Sequence, residues 1–240
     1  KIVDTNDEWI SSRTGIRERR ISTGDTTADL GSKASLNAIK DSGISPLDID
    51  LILLATMSPE SALPNISSKV QSMIGAINAT CMDLNAACSG FIFALNTANA
   101  FLLSGMYKNI LVIGSETVSK VIDWSDRSTC VLFGDGAGAV IVTNDTSKKY
   151  ASITGSDGVK GGVLSGGSTI LKNFLTNTDE PALNNDYFMS MDGQEVFKFA
   201  VTKVPECILE ALAIADVTVS DIDYFVLHQA NIRIISSVAK

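Results

Sequence analysis

Positive charge is in short supply: 19 Lys and Arg stand against 27 Asp and Glu, for a formal net charge of −8. Bulk attraction to nucleic acid or to an anionic membrane is therefore not expected, and any anionic ligand has to be held by a local cluster of Arg or Lys. Histidine occurs once, at His228, which excludes a metal site built from several histidines, and no metal is expected. Cysteine occurs four times, at Cys81, Cys88, Cys130 and Cys207, with no Cys-x-x-Cys spacing. That argues against a zinc knuckle or a disulfide framework and fits a reducing, cytoplasmic compartment. No apolar run approaches the roughly 18 residues of a membrane span. The opening Lys1-Ile2-Val3-Asp4 has none of the basic, apolar, small-residue order of a signal peptide.

What is present is a globular composition, 45% hydrophobic and 19% charged over 240 residues. Short apolar runs predict strands at 51–56, 79–84, 109–114, 138–143 and 222–227. They are almost continuously hydrophobic, which suits a sheet covered on both faces. Helical periodicity predicts helices over 27–42, 65–74, 88–104, 194–215 and 231–240, with a short one over 7–13. Gly43 is a plausible stop for the first long helix. Pro205 falls inside the 194–215 pattern and is expected to kink or break it. Strands alternating with helices mean an α/β fold. Residues 155–168 carry six glycines, and the polar stretch from there to 186 reads as loop or irregular hairpin.

The chain repeats itself. Residues 38–55, AIKDSGISPLDIDLILLA, align with 213–228, AIADVTVSDIDYFVLH. In both, a helix ends on Ala-Ile-x-Asp, a turn containing Ser follows, and Asp-Ile-Asp leads into an apolar strand. A duplicated α/β half is the better reading: residues 1–150 form one half, carrying the cysteine nucleophile, and 151–240 the second, carrying the histidine. The second half lacks a counterpart to 79–88, and no strand precedes 7–13. The pattern therefore predicts a piece of a longer chain.

Two residues stand where chemistry is expected. Cys88 lies between an apolar strand and the apolar run FIFALNTANAFLL, among Ala86, Ala87, Ser89 and Gly90. A tight turn there aims the sulfur at a helix N-terminus, whose unpaired N–H groups and positive dipole end favour thiolate. That is an elbow nucleophile with sulfur in place of oxygen; the alternative is a buried, inert cysteine. His228 ends the strand candidate Tyr224-Phe225-Val226-Leu227, and ligands gather at the carboxyl ends of strands in open α/β sheets. One such residue in each half suggests a catalytic pair. The Gly-rich Phe133–Val140 stretch lacks the Gly-Lys-Ser/Thr of a P-loop and reads as a tight turn before a strand.

The motifs taken together resemble one family. They are Asp7-Glu8-Trp9-Ile10, Arg13-Thr14-Gly15-Ile16-Arg17-Glu18-Arg19, Ala86-Ala87-Cys88-Ser89-Gly90-Phe91, Asp126-Arg127-Ser128-Thr129, Phe133-Gly134-Asp135-Gly136-Ala137-Gly138-Ala139, Glu195-Val196-Phe197-Lys198 and His228-Gln229-Ala230-Asn231-Ile232-Arg233-Ile234. The chain is similar to the β-ketoacyl-[acyl carrier protein] synthases III, initiating condensing enzymes of bacterial fatty-acid synthesis in the thiolase superfamily. The resemblance implies a thiolase-like fold, two α/β halves in five layers (α-β-α-β-α), as a homodimer. It implies that Cys88 takes an acyl group from acyl-coenzyme A and that His228, with a downstream Asn, promotes decarboxylation of malonyl-[acyl carrier protein]. Coenzyme A is then a substrate, not a cofactor, and its contacts fall on Trp9, Arg13, Thr14, Arg127, Gln194, Phe197 and Asn231. Lys198 and Arg233 are candidates for docking the acidic carrier protein.

Two departures from the family's pattern bear on these expectations. The family's Asn lies in a Gly-Asn-Thr-Ser motif beyond His228, and the sequence stops at Lys240 first. Were the molecule to end there, its oxyanion site would be incomplete. The family often has Phe in the segment lining the acyl pocket, where this chain has Leu63, leaving room for a branched or longer primer. Two other readings stand beside the first: a hydroxymethylglutaryl-coenzyme A or polyketide starter synthase, and a non-catalytic acyl- or carrier-protein-binding module.

Overall fold

The structure is a computed structural model that describes residues 2–145, 147, 149–166 and 187–240. Its described residues group into two compact units. One lies within the spans Arg20–Val118 and Gly134–Tyr150; the other lies within Lys1–Arg19, Ser119–Phe133 and Ala151–Lys240.

The first unit is built on a four-stranded sheet, β1 (Leu51–Ala55), β2 (Thr80–Leu84), β3 (Asn109–Thr117) and β4 (Asp135–Thr143), in the order β2-β1-β3-β4. β2 and β3 run parallel to β1, and β4 runs antiparallel to β3. Every residue of β1 is buried, as its unbroken apolar run requires. The strand's alternation then divides two cores. Ile52 and Leu54 face Leu111, Ile113 and the helices α2 (Thr27–Ser42) and α3 (Ile66–Ile74). Leu51, Leu53 and Ala55 face Ile110, Val112 and α4 (Gly90–Leu103). The unit is thus a helix–sheet–helix sandwich. β2 is an edge strand and departs from the expected full burial: Thr80 and Met82 are exposed.

Local chemistry sets the ends of α2. Thr26 and Asp29 form a reciprocal capping box at its start, and Gly43, at φ 71°, closes it as expected. The Gly-rich stretch is a correction. Residues 135–143 already belong to β4, so Gly136 and Gly138 lie within a strand, not in a turn before one. The antiparallel ladder with β3 starts at Thr117↔Asp135.

The second unit contains α1 (Asp7–Thr14), α5 (Arg127–Cys130), α6 (Gly193–Ala215), α7 (Ile232–Val238) and the two-stranded pair β5 (Leu164–Ser165) and β6 (Ser190–Met191). The expected loop or hairpin over 155–186 is described to 166: a 3-10 turn over Gly158–Val163 leads into β5, and 167–186 lie outside the described residues. Helix α6 runs through Pro205 as one helix, so the proline does not break it. A proline removes one N–H from the ladder, and the flanking turns of a 23-residue helix keep it continuous. The strand expected at 222–227 is a second correction. The segment carries no ladder, and Tyr224 and Val226 are 86% and 93% exposed. A strand needs a neighbour for its N–H and C=O groups, and none pairs with this segment among the described residues. No described helix is long and apolar enough to cross a membrane.

Burial decides what truncation costs here. Leu53 is 0% exposed and Leu63 is 88% exposed. Leu53→Ala is expected to lower unfolding free energy by about 2–5 kcal/mol, while Leu63→Ala changes it by less than about 0.5 kcal/mol. Urea unfolding followed by circular dichroism measures both.

Candidate active site

In the sheet unit, the chain leaves β2 at Leu84 and turns through Ala86 and Ala87 into a 3-10 turn, Ala87–Ser89, that runs on into α4. Ala87 has φ 46°, a left-handed conformation that its small side chain tolerates at some cost. The Asn85 side chain accepts the Ala87 N–H at 3.1 Å, and the Ser89 N–H donates to Ala86 O at 3.1 Å. Cys88 is therefore held in the strained strand-to-helix turn that the sequence predicts. The start of α4 is pressed onto the sheet. A Cβ on Gly90 would stand 3.1 Å from the Ala55 methyl, and one on Gly114 would stand 3.4 Å from the Phe91 ring. At 90 an added methyl group would crowd Ala55, while at 114 it would just reach van der Waals contact with Phe91.

The electrostatics at Cys88 correct the expectation of a thiolate. The residue is open to solvent on one side, but protein packed behind its sulfur pushes the thiol pKa up, and the negative charge of Glu116 pushes it further. The backbone N–H at Cys88 acts in the opposite sense and does not prevail. The other three cysteines lie in regular elements, as expected: Cys81 half-buried in β2, Cys130 buried in α5, Cys207 exposed in α6. Leu63, in a cis Leu63–Pro64 bond, projects from the loop between β1 and α3.

Sequence reasoning missed Glu116. It sits near the carboxyl end of β3, half-buried, and collects donors from Thr56, Met57 and Ser58. The available signal was a single acid following the apolar run Ile110–Gly114, at a strand's carboxyl end.

In the other unit, three of the predicted coenzyme A residues converge. Trp9, on α1, has the Arg13 guanidinium 4.6 Å and the Arg127 guanidinium 5.0 Å from its ring centroid. Arg13 reaches it from the next turn of the helix, while Arg127 comes from the first turn of α5 and also donates to Asp4 O at 3.0 Å. Two cations on one indole form a compact positive site in an acidic protein. Thr14 is buried, and its hydroxyl both donates to Ile10 O at 2.7 Å and accepts the Ile16 N–H at 3.0 Å. That hydroxyl closes α1. Beside it Gly15, at φ 78°, lies so close to α7 that an added Cβ would stand 3.0 Å from Ile232.

The remaining residues lie at helix starts. Asn231 caps α7, its side chain accepting the Arg233 N–H at 2.8 Å. Gln194 and Phe197 occupy the first turns of α6 behind the Asp192 cap. Lys198 and Arg233 are exposed, and Lys198 is paired with Glu195 at 2.6 Å. His228 follows the unpaired 222–227 segment, not a formed strand. Its ring is open to solvent on one side, and the protein behind it pushes the pKa below the ordinary imidazole value. It has no ion-pair partner among the described residues. No group of three metal-binding side chains occurs among them either.

Known proteins resemble the chain over its whole length. The profile described as 3-Oxoacyl-[acyl-carrier-protein (ACP)] synthase III matches residues 82–158, and that of its C-terminal part matches 212–240. The beta-ketoacyl-[acyl-carrier-protein] synthase III of Clostridium acetobutylicum is 54% identical over 100% of this chain and 73% of its own length. The crystal structure of the 3-oxoacyl-[acyl-carrier-protein] synthase III of Aquifex aeolicus is 40% identical, with a TM-score of 0.86 over 99% of this chain and 72% of that one. The priming beta-ketosynthase of the R1128 polyketide biosynthetic pathway is 38% identical, with a TM-score of 0.90 over 99% of this chain and 70% of that one. With a cysteine at its strand-to-helix turn and this likeness over its full length, the chain belongs to the 3-oxoacyl-[acyl-carrier-protein] synthase III family of thiolase-fold condensing enzymes.

Proposed function

We propose that the chain opens fatty-acid synthesis by moving an acyl group from acyl-coenzyme A to Cys88 and condensing it with malonyl-[acyl carrier protein]. The observation that carries this reading is the free Cys88 in the Ala87–Ser89 turn, ahead of a helix pressed onto the sheet. In the first half-reaction the Cys88 sulfur attacks the thioester carbonyl and the coenzyme A sulfur leaves, taking up the proton that Cys88 gives up. In the second, malonyl-[acyl carrier protein] loses carbon dioxide and its carbon attacks the Cys88 thioester, releasing 3-oxoacyl-[acyl carrier protein] and the Cys88 thiolate, which takes a proton from water. Negative charge gathers on the malonyl thioester oxygen as carbon dioxide departs. His228 donates a hydrogen bond to that oxygen. Its lowered pKa keeps the ring neutral near pH 7, one nitrogen still bearing a proton.

The Trp9 site takes the nucleotide end of coenzyme A. The indole offers a stacking plane for adenine, and Arg13 and Arg127 turn to the phosphates. Gln194, Phe197 and Asn231 complete the contacts, and Thr14 acts by holding the end of α1. Lys198 and Arg233 dock the acidic carrier; Lys198 exchanges its Glu195 partner at little cost, since surface pairs contribute little. Coenzyme A is a substrate, and no cofactor is needed. Leu63 lines the acyl pocket.

The enzyme works in the cytoplasm as a homodimer. The outer edge of β2 has no strand partner among the described residues, and Met82 of β2 is an exposed apolar side chain. The two duplicated halves, 1–150 and 151–240, belong to the same proposal. Gly43 and Asp216 both end their helices in the left-handed region, and 3-10 turns follow at Pro46–Asp48 and Val219–Asp221. A second reading, priming of polyketide synthesis, rests on the likeness to the R1128 ketosynthase, and preference between carrier proteins distinguishes the two.

Incubation with acetyl-coenzyme A is expected to add an acyl mass to the Cys88 peptide alone. An acyl group on Cys81, Cys130 or Cys207 would refute the assignment, and no acylation at all would favour a binding module. Arg13→Ala and Arg127→Ala are each expected to weaken coenzyme A binding by about 1–3 kcal/mol, with the gap narrowing as salt rises. Calorimetric titration at low and high salt reads both effects.

His228→Ala is expected to retain acylation while release of carbon dioxide from malonyl-carrier protein falls by at least about 10²–10³. A variant that decarboxylates normally but cannot be acylated would reverse the assignment.

A further inference from the structure

Both ends of the loop between β1 and α3 are held by carboxylates from neighbouring strands. At its start stands Glu116 of β3. One carboxylate oxygen accepts the Met57 N–H at 2.8 Å. The other accepts the Ser58 N–H and the Thr56 hydroxyl, each at 3.1 Å, and the Ser58 hydroxyl as well. Ser58 is tied down further: its Oγ accepts the Thr117 N–H at 2.8 Å, and its carbonyl accepts the Thr27 hydroxyl at 2.7 Å. Thr27, Thr56, Ser58 and Thr117 are all buried. In such surroundings a hydrogen bond is strong and an unpaired polar group is costly.

At the loop's other end stands Asp83 of β2. One oxygen accepts the Ile66 N–H at 2.7 Å and the other the Ser67 N–H at 2.8 Å, the first two amides of α3. Asn65, the N-cap residue, makes no capping bond of its own, so the carboxylate from β2 takes that place. Between the two anchors the loop has braces of its own. The Ser61 hydroxyl donates to Pro64 O at 2.9 Å, and Glu60 pairs with Lys69 of α3 at 3.2 Å.

Leu63 sits between these anchors and is 88% exposed, so its own packing does not fix it. Its place is set by the chain on either side. We propose that Glu116 and Asp83 are positioning residues for primer choice: they pin the two ends of the loop that presents Leu63, and the firmness of that hold decides how large an acyl group the pocket accepts. This rests on the reading of Leu63 as a residue of the acyl pocket. Both carboxylates act through the backbone amides they hold, one at the loop's start and one at the start of α3.

The chemistry of the anchors makes their amide variants informative. In each carboxylate both oxygens accept a backbone N–H, from Met57 and Ser58 at Glu116 and from Ile66 and Ser67 at Asp83. An amide has one accepting oxygen, and its NH2 group only donates. Glu116→Gln and Asp83→Asn, nearly unchanged in shape, therefore each set a donor against a donor and release a backbone amide. Leu63→Ala leaves the anchors intact and removes only what the loop presents.

The test combines two measurements on the full chain. Hydrogen exchange, read by peptide mass, reports the amides of Met57, Ser58, Ile66 and Ser67. Loading of Cys88 from acetyl- and from isobutyryl-coenzyme A, read as acyl mass, gives the ratio of the two rate constants. In the parent these amides are expected to exchange at least about tenfold more slowly than in a free peptide. Glu116→Gln is expected to lose that protection at 57 and 58, and Asp83→Asn at 66 and 67. In both, the isobutyryl-to-acetyl ratio is expected to rise about threefold or more, the direction expected of Leu63→Ala, because a looser loop admits the bulkier primer. A merely structural role would lower both loading rates together and leave the ratio in place. An unmoved ratio in folded Glu116→Gln or Asp83→Asn, with Leu63→Ala moving it, overturns the proposal and leaves Leu63 in the pocket. An unmoved ratio in Leu63→Ala refutes the pocket reading, and the proposal with it. Parent amides that exchange as in a free peptide overturn the proposal whether or not the variants fold.

Discussion

The site depends on a close approach of helix to sheet. The start of α4 meets the carboxyl ends of β1 and β3 at Gly90, Ala55 and Gly114, and one added methyl group at 90 would be felt at once. That contact sets the height of the Ala87–Ser89 turn above the sheet and so presents Cys88. It is possible only because β1 is buried at every residue, its two faces supplying separate cores for α2 and α3 and for α4. The strand is the anchor, and the place of Cys88 is a consequence of how tightly a helix can be laid against it.

Electrostatics shape the two units differently. An acidic protein that handles a polyanionic thioester has to concentrate what positive charge it has, and Trp9 serves as the platform on which Arg13 and Arg127 gather. In the sheet unit burial and the charge of Glu116 push the Cys88 thiol pKa up.

The repeated helix, turn and Asp-Ile-Asp segment behaves differently in its two copies. After Asp50 the chain enters β1, between two neighbours; after Asp223 it runs exposed and joins no described ladder. The same local signal yields a strand only where a partner supplies the ladder, because backbone hydrogen bonding is a property of pairs of segments.

The sequence alone determined the features that short-range physics controls. Apolar runs marked β1 and β3, periodicity with Gly43 marked α2, and the small residues around Cys88 marked its turn. Motifs spread along the chain were enough for the family. Tertiary structure decided the rest. The glycines of 136 and 138 joined a strand because β3 offered them an edge, α6 held through Pro205 because its flanking turns remained paired, and the Thr14 hydroxyl turned inward to close α1. Glu116 was invisible in the sequence because its partners, Thr56, Met57 and Ser58, lie about sixty residues away along the chain. The ionisation of Cys88 was misjudged for the same reason: a helix N-terminus is a local signal, whereas burial and a neighbouring carboxylate exist only once distant segments pack.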